Sequence, residues 1–217
     1  MAKCYEVLKY FLTFATESKS NVMSLQGSIT TSDYLPFEEY QRLVKNLEDD
    51  GQYLWCTYCI LSFCLALRIS DVLNLTWSEV LDRREITVQE KKTGKVKTIP
   101  IGSNTSEHLA ELYKKMKKPN AHRYIFINER TNKVYTRQYI DRLLKCLKNR
   151  YNIKVGNFSS HTFRKTFGRY VYNKMGRTEE SLVILNQIFK HQSIQTTKIY
   201  IGLRSNEIGK VFNSIEI

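Results

Sequence analysis

The sequence predicts a mainly α-helical domain with one small antiparallel β-hairpin, an α+β fold. Apolar residues recur at helical spacing along most of the chain, whereas the alternation typical of strands occurs in one place. The sequence contains no internal repeat that would indicate a solenoid or a propeller. At 217 residues the chain can bury a substantial core, so we expect one domain with a short extension.

We divide the chain at residue 34. Residues 1–20 carry a helical pattern of apolar residues, and a polar stretch rich in Ser, Thr, Asn, Gln and Gly follows. Residues 1–34 are therefore interpreted as a short N-terminal helix and linker. Residues 35–217 are interpreted as the main domain, which ends in a C-terminal tail helix.

Three helices are predicted at the start of the main domain. Pro36 and the two acidic residues in the following turn favour a helix start, and the segment from Asp49 to Gly51 ends that helix. An almost unbroken apolar run then predicts a buried central helix over 52–67. Ser70 is predicted to cap the short third helix, because its side chain can accept a hydrogen bond from a free backbone N–H.

A β-hairpin and a series of helices complete the predicted domain. Residues 86–88 alternate as a strand, Lys92 to Lys95 form the turn, and residues 96–101 return as the second strand. Thr136 is predicted to cap a later helix, Ser159 or Ser160 another, and Ser193 the helix that begins there. The predicted helices after the hairpin cover 105–118, a segment from Thr136 to about Leu147, 160–174, 178–189, 193–201 and 205–213.

The positive charge is concentrated in one part of the chain. The net charge is +13 and the pI is about 9.5, and residues 83–150 hold 18 Lys+Arg against 6 Asp+Glu, a net +12. Such a concentrated field favours a polyanion, most simply a nucleic-acid backbone, over the alternative of a merely solvated basic surface. The predicted DNA-binding lysines are Lys91, Lys95, Lys97, Lys114, Lys115, Lys117 and Lys118.

The cysteines and the apolar segments exclude other classes of protein. The five cysteines stand at no disulfide-like spacing, and nothing nearby completes a zinc site around Cys56 and Cys59. We therefore expect reduced thiols, no metal and no cofactor. The apolar run from Tyr53 to Leu67 is too short to span a membrane, and no secretion signal is visible. We expect a cytoplasmic protein without a membrane partner.

Separate segments of the chain carry residues suited to phosphodiester chemistry. Arg68 and Arg164 can clamp a charged phosphate, a histidine such as His161 or His191 can move protons, and the oxygen of Tyr200 can attack phosphorus. Each residue also has an ordinary explanation. Arg68 could pair with an acid three residues later on the surface, and Tyr200 could simply pack against its apolar neighbours.

Taken together, these segments resemble the catalytic domain of the tyrosine recombinases, the phage-integrase type of site-specific DNA recombinase. The resemblance runs from about Leu35 to Leu203, with the motifs in the order of the family. The matching segments are 66–75 around the first arginine, 91–95 in the hairpin ahead of 99–101, 161–167 with its His-x-x-Arg, and 189–200 from Phe189 to the tyrosine.

The resemblance implies a role for each candidate residue. Tyr200 would attack the scissile phosphate and leave a 3′-phosphotyrosine with a free 5′-hydroxyl. Arg68 and Arg164 would hold the non-bridging oxygens, and His191 would add a hydrogen bond to them.

Proton transfer and support of the site involve three further residues in this resemblance. Lys92 would protonate the departing 5′ oxygen, and His161 would assist proton transfer at the tyrosine. Asp71 would support the site without acting on phosphorus. Lys190 departs from the family, which usually has glycine directly before the second histidine, and it could add a phosphate contact.

The function that the resemblance implies is cutting and rejoining of double-stranded DNA at specific recombination sites, as in DNA integration or inversion. A homo-oligomer, a tetramer on DNA, is expected to form through the terminal segment 205–217. Residues 1–34 are too few for the separate domain of ~100 residues that most members carry, so we expect a minimal recombinase, a fragment or a decayed element. The alternatives are nicking and resealing like a type IB topoisomerase, and a non-catalytic DNA-binding remnant.

Overall fold

A computed structural model of the chain describes residues 32–91, 94–203 and 214–215. Its element order confirms the predicted fold class, with helices throughout and small antiparallel sheets. The predicted helices over 1–20 and 205–213 lie outside the described residues.

The domain is built around one helix that is buried on nearly every side. Helix α1 (Phe37–Asp49) follows Pro36 and buries one face, as the sequence predicts. Helix α2 (Tyr53–Cys64) has an unbroken run of buried residues from Trp55 to Phe63, including two free cysteines. A helix that is apolar all round has to lie in the interior. Within the described residues no helix has both the length and the apolar character needed to cross a membrane.

Two short helices and a hairpin follow the central helix. Helix α3 (Ile69–Val72) starts one residue after Arg68, which is its N-cap, so the predicted capping by Ser70 is wrong. Helix α4 (Trp77–Val80) leads into strands β1 (Glu85–Gln89) and β2 (Val96–Pro100), which pair antiparallel.

The structure differs from the prediction at the end of helix α5 and in a second hairpin. Helix α5 (Ser103–Lys115) ends earlier than predicted, because Lys117 and Lys118 adopt left-handed backbone angles of 62° and 52° in φ. Strands β3 (Ile127–Asn128) and β4 (Lys133–Val134) form a second antiparallel pair that the sequence did not predict. Two-residue strands are too short to show an alternating pattern.

Four helices close the domain. Their bounds are α6 (Arg137–Arg150), α7 (Thr162–Lys174), α8 (Glu179–Phe189) and α9 (Ile194–Tyr200). The predicted caps Thr136 and Ser193 are confirmed, since each side chain accepts a hydrogen bond from a backbone N–H in the first turn. Neither Ser159 nor Ser160 is the N-cap of α7, because His161 occupies that position.

Helices α7, α8 and α9 meet at a glycine. An ideal Cβ on Gly168 of α7 would stand 2.6 Å from Cγ2 of Ile201 and 2.9 Å from Cζ of Phe189. Phe189 and Ile201 are fully buried and belong to a cluster that also contains Leu182 and Leu185. The absence of a side chain at Gly168 therefore lets the end of α8 and the end of α9 approach α7.

We predict that Gly168→Ala destabilises the fold by about 1–3 kcal/mol, because overpacking a well-packed contact forces side chains and backbone to shift. Gly102→Ala is the matched control, since a Cβ there meets no atom within 4 Å. Its free energy of unfolding should stay within about 1 kcal/mol of the parent protein. Urea denaturation measures both values, and equal effects would show that the contact at Gly168 is not close.

Candidate active site

The guanidinium group of Arg164 joins two distant turns of the chain. Arg164 lies in the first turn of α7 and is buried; its Nη1 donates to the carbonyl of Ala66, and its Nη2 donates to the carbonyl of Phe189 at 3.0 Å. The group also lies 4.6 Å from the centroid of the Phe189 ring. Burial lowers the pKa of Arg164, although an arginine keeps its charge in a protein. The bridged turns lead to Arg68 and His191.

Arg68 follows a turn of the chain just after the central helix α2. Ala66 has a left-handed φ of 46°, and Arg68 itself is extended, with φ −71° and ψ 150°. Its Nη1 lies 3.2 Å from a carboxylate oxygen of Glu90. Arg68 therefore pairs with an acid from the hairpin rather than with Asp71. The Oδ1 atom of Asp71 instead accepts a hydrogen bond from the backbone N–H of Lys91 at 3.1 Å.

Glu90 is a site residue that the sequence analysis missed. Its side chain is 3% exposed, and the same oxygen that faces Arg68 lies 3.6 Å from Nζ of Lys190. The signal was present in the sequence. Ile86 and Val88 point inward from β1, and Glu90 continues the same alternation. An acid at an inward-facing position needs a cationic partner.

His191 follows the end of α8 directly. The preceding Lys190 has a left-handed φ of 52°, a conformation in which glycine is the usual residue. His191 Nδ1 lies 3.0 Å from Oγ1 of Thr197 on α9. Burial, together with the guanidinium groups of Arg164 and Arg68, lowers the pKa of His191 to about 4. The imidazole is therefore neutral at neutral pH.

Tyr200 is the last residue of α9, and its hydroxyl group is buried. Burial raises the pKa of the phenol, while the charges of Arg164 and Arg68 act in the opposite direction. The ring packs edge-on against His191, with 5.0 Å between the ring centroids. On α7, Lys165 brings its Nζ to 5.3 Å from the centroid of the tyrosine ring.

His161 borders the site from the start of α7. Together with Arg68, Lys91 and Arg137 it lines a cleft of about 610 Å³. Burial is the main cause that lowers the pKa of His161, and the charge of Arg137 adds to it. His161 is therefore neutral at neutral pH and able to accept a proton.

The predicted lysines occupy different surroundings. Lys92 lies outside the described residues. Lys97 is half-buried and donates from Nζ to the carbonyl of Ile188 at 3.0 Å. Burial and the neighbouring charges, that of Arg164 first, lower its pKa to about 8. The other predicted lysines, Lys91, Lys95, Lys114, Lys115, Lys117 and Lys118, have exposed side chains.

Among the residues that the structure describes, one group of side chains outside this site could hold a metal ion. The ligand atoms of Glu48, Cys56 and His108 lie within 4.8 Å of one another. Glu48 is already engaged there, at 2.9 Å by Nε2 of His108 and at 2.6 Å by Nζ of Lys115. Burial also raises the pKa of the Cys56 thiol to about 12. Neither feature favours a thiolate-bound metal.

Comparison with known proteins gives a family match. The sequence matches the phage integrase family over residues 33–207. A probable integrase/recombinase of Bacillus subtilis, YoeC, is 33% identical over 138 residues, which are 64% of this chain and 71% of the relative. The tyrosine recombinase XerD of Halalkalibacterium halodurans is 25% identical over 156 residues, covering 70% of this chain and 50% of the relative.

Solved structures are similar in fold. The XerA recombinase superposes with a TM-score of 0.65 at 21% identity, covering 86% of this chain and 67% of that one. The XerH recombinase bound to palindromic difH substrate gives 0.61 at 16% identity, over 85% of this chain and 54% of that one. A lambda integrase dimer bound to a COC′ core site gives 0.57 at 17% identity, over 78% and 59%.

We predict that Glu90→Ala destabilises the protein by about 1–3 kcal/mol, because it leaves the charges of Arg68 and Lys190 without their shared carboxylate in a partly buried site. Glu129→Ala removes an exposed acid that pairs with exposed Arg123, and it should change stability by no more than about 0.5 kcal/mol. Urea denaturation of both variants provides the comparison. A similar small loss for both would mean that Glu90 is not the counter-charge of the site.

Proposed function

The chain belongs to the phage integrase family, and on that premise we propose that it cuts and rejoins DNA at specific sites through Tyr200. One observation carries the assignment of residues. The guanidinium group of Arg164 donates to the carbonyls of Ala66 and Phe189, on the turns that lead to Arg68 and His191, and the rings of His191 and Tyr200 lie 5.0 Å apart. Residues that are more than 130 positions apart in the sequence therefore converge on one small volume.

The chemical step is a transesterification at phosphorus. The phenolic oxygen of Tyr200 forms a bond to the scissile phosphorus, and the bond from phosphorus to the 5′ oxygen breaks. The phenol loses its proton and the departing 5′ oxygen gains one. The resulting phosphotyrosine diester conserves the energy of the broken linkage, so a 5′-hydroxyl can reverse the step and rejoin the strand without ATP.

The charges around Tyr200 suit this reaction. A phenol is a weak nucleophile while it is protonated, so cations that stabilise the phenolate assist it. Negative charge also develops on the phosphate oxygens in the transition state, where fixed guanidinium groups stabilise it most. Arg68 and Arg164 serve both purposes in the proposal. Neutral His191 adds a hydrogen bond to a non-bridging oxygen.

We assign proton transfer to two residues, and the evidence differs between them. His161 has its pKa lowered by burial and lines the same cleft as Arg68, which suits a base that receives a proton released by Tyr200. Lys92 is proposed as the acid for the departing 5′ oxygen on the family resemblance alone. Asp71 is proposed to support the site by fastening the connection between the two strands of the hairpin, at Lys91, to the short helix that follows Arg68.

The proposed substrate is double-stranded DNA at recombination sites. The XerH recombinase structure contains its difH substrate, and the lambda integrase structure is a dimer bound to a COC′ core site. The lysines of residues 83–150 give this chain a matching positive charge. We further propose a homotetramer on paired sites, as the family resemblance implies. The proposal includes a cytoplasmic location, which suits the free thiols of the described cysteines.

We expect Tyr200→Phe to abolish covalent attachment to a nicked suicide DNA substrate while leaving DNA binding nearly intact, because the variant loses only the phenolic oxygen. Denaturing gel electrophoresis detects the covalent complex, and a mobility shift under native conditions measures binding. Tyr58→Phe also removes only a buried phenolic oxygen, and it is a matched control that should keep full attachment.

A detergent-resistant complex formed by the Phe variant would identify another residue as the nucleophile. Loss of attachment in both the Tyr200 and the Tyr58 variants would instead indicate a general effect on folding.

We predict that reversing Lys114, Lys117 and Lys118 to Glu weakens DNA binding and lowers the slope of log affinity against log salt by about 2–3, since each lost phosphate contact removes close to one released counterion. Lys115 is left unchanged because its Nζ lies 2.6 Å from a carboxylate oxygen of Glu48, and its reversal would place two acids together. Fluorescence anisotropy at several salt concentrations measures the slope.

The matched control reverses three exposed lysines outside this basic region, Lys45, Lys154 and Lys174. The two triple variants carry the same change in net charge. Equal slopes for the two triple variants would mean that the lysines at the end of α5 act only through the net charge of the protein. They would then make no direct contact with the DNA backbone.

A further inference from the structure

The hydroxyl group of Thr197 connects His191 to a second polar side chain. Thr197 is fully buried on α9, and its Oγ1 lies 3.0 Å from Nδ1 of His191. Nδ2 of Asn186, on α8, donates a hydrogen bond to the same Oγ1 at 3.2 Å. Neither Asn186 nor Thr197 belongs to the residues to which a role was assigned above.

Counting the available protons shows which of these atoms donate a hydrogen bond and which accept one. An amide NH₂ group only donates, so Thr197 Oγ1 accepts from Asn186 and retains one proton of its own. That proton can go to His191 Nδ1 at 3.0 Å or to the carbonyl of Ser193 at 3.5 Å. The shorter contact is favoured, because hydrogen bonds donated by a hydroxyl to oxygen are usually about 2.5–3.0 Å long, and the contact to the carbonyl of Ser193 exceeds that range. In that arrangement Nδ1 of His191 accepts, and the proton of the neutral ring is on Nε2.

We propose that Thr197 and Asn186 are positioning residues that hold neutral His191 in the tautomer with its proton on Nε2. The inference rests on the proposed function, in which His191 donates a hydrogen bond to a non-bridging phosphate oxygen. A neutral histidine can donate from only one ring nitrogen, so the tautomer decides whether that bond forms.

The surroundings of His191 make the tautomer decisive. Because burial and the two guanidinium groups lower the pKa of His191 to about 4, the ring does not gain a second proton at neutral pH. Nε2 has no hydrogen-bond partner within the described part of the chain, so it is available to a ligand. With the opposite tautomer, a lone pair of Nε2 would face the phosphate and repel it.

The first test is the tautomer itself, measured in the DNA-free protein at pH 8. Long-range proton–nitrogen correlation spectra distinguish a protonated ring nitrogen from an unprotonated one, and His191→Gln identifies the signals of His191. We expect Nε2 protonated and Nδ1 unprotonated in the parent protein. A proton on Nδ1 would overturn the proposal without affecting the assignment of Tyr200 as nucleophile.

Variants test the chain of contacts. Thr197→Val removes the hydroxyl and should give a mixture of tautomers with an attachment rate about 10-fold lower. That loss is smaller than the 10²–10³-fold that follows removal of a transition-state donor. Thr197→Ser keeps the oxygen and should restore both properties. Asn186→Asp replaces the donor by an acceptor, so Thr197 would donate to Asp and the proton of His191 would move to Nδ1.

Thr196→Val is the control, because Thr196 is exposed and stands beside Thr197 on the same helix. It should change neither the tautomer nor the rate of covalent attachment. If Thr197→Val and Asn186→Asp both leave the tautomer and the rate as in the parent protein, the two residues do not position His191. A Tyr200→Phe variant that still forms the covalent complex would contradict the proposed function and leave the tautomer result standing.

Discussion

Arg164 ties together segments that are far apart in the sequence, since its guanidinium donates from the first turn of α7 to the carbonyls of Ala66 and Phe189. Ala66 is itself left-handed and lies on the way to Arg68, while Phe189 directly precedes the left-handed Lys190 on the way to His191. A buried arginine has to satisfy its donors, and two carbonyls at fixed positions do this while they hold both turns in place. Packing of α7, α8 and α9 around Gly168 then brings Tyr200 to the same point.

This arrangement concentrates positive charge in a partly buried site, which destabilises the free protein. Arg68, Arg164, Lys97 and Lys190 contribute cations there, and Glu90 is the acid that two of them share. Burial, together with the charge of Arg164 and its neighbours, lowers the pKa of Lys97 to about 8. A bound phosphate would relieve the repulsion, so the same cations that destabilise the free protein favour the anionic transition state. Glu90 limits the cost in the free protein and keeps Arg68 at the edge of the cleft.

The sequence predicted the helices well where local chemistry decides. Thr136 and Ser193 cap helices because their hydroxyl groups reach free backbone N–H groups nearby, and this depends on few other residues. The sequence did not predict the helix caps correctly where tertiary packing decides where a helix begins. Ser70 and the serines before His161 have the same capping chemistry, but the helices there begin at Ile69 and Thr162, so Arg68 and His161 occupy the N-cap positions instead. The convergence of the site followed from the resemblance, while the partners of each residue, such as Glu90, did not.

At Lys190 an unfavourable backbone conformation coincides with a positively charged side chain. A left-handed φ of 52° costs a non-glycine residue on the order of 1 kcal/mol. The ammonium group offsets part of this through Glu90, at 3.6 Å, and adds to the positive field that the proposed phosphate would meet. The turn also sets the direction in which His191 leaves α8 toward Thr197. The strain is thus located where the backbone must reverse between a helix end and a residue that the proposed chemistry requires.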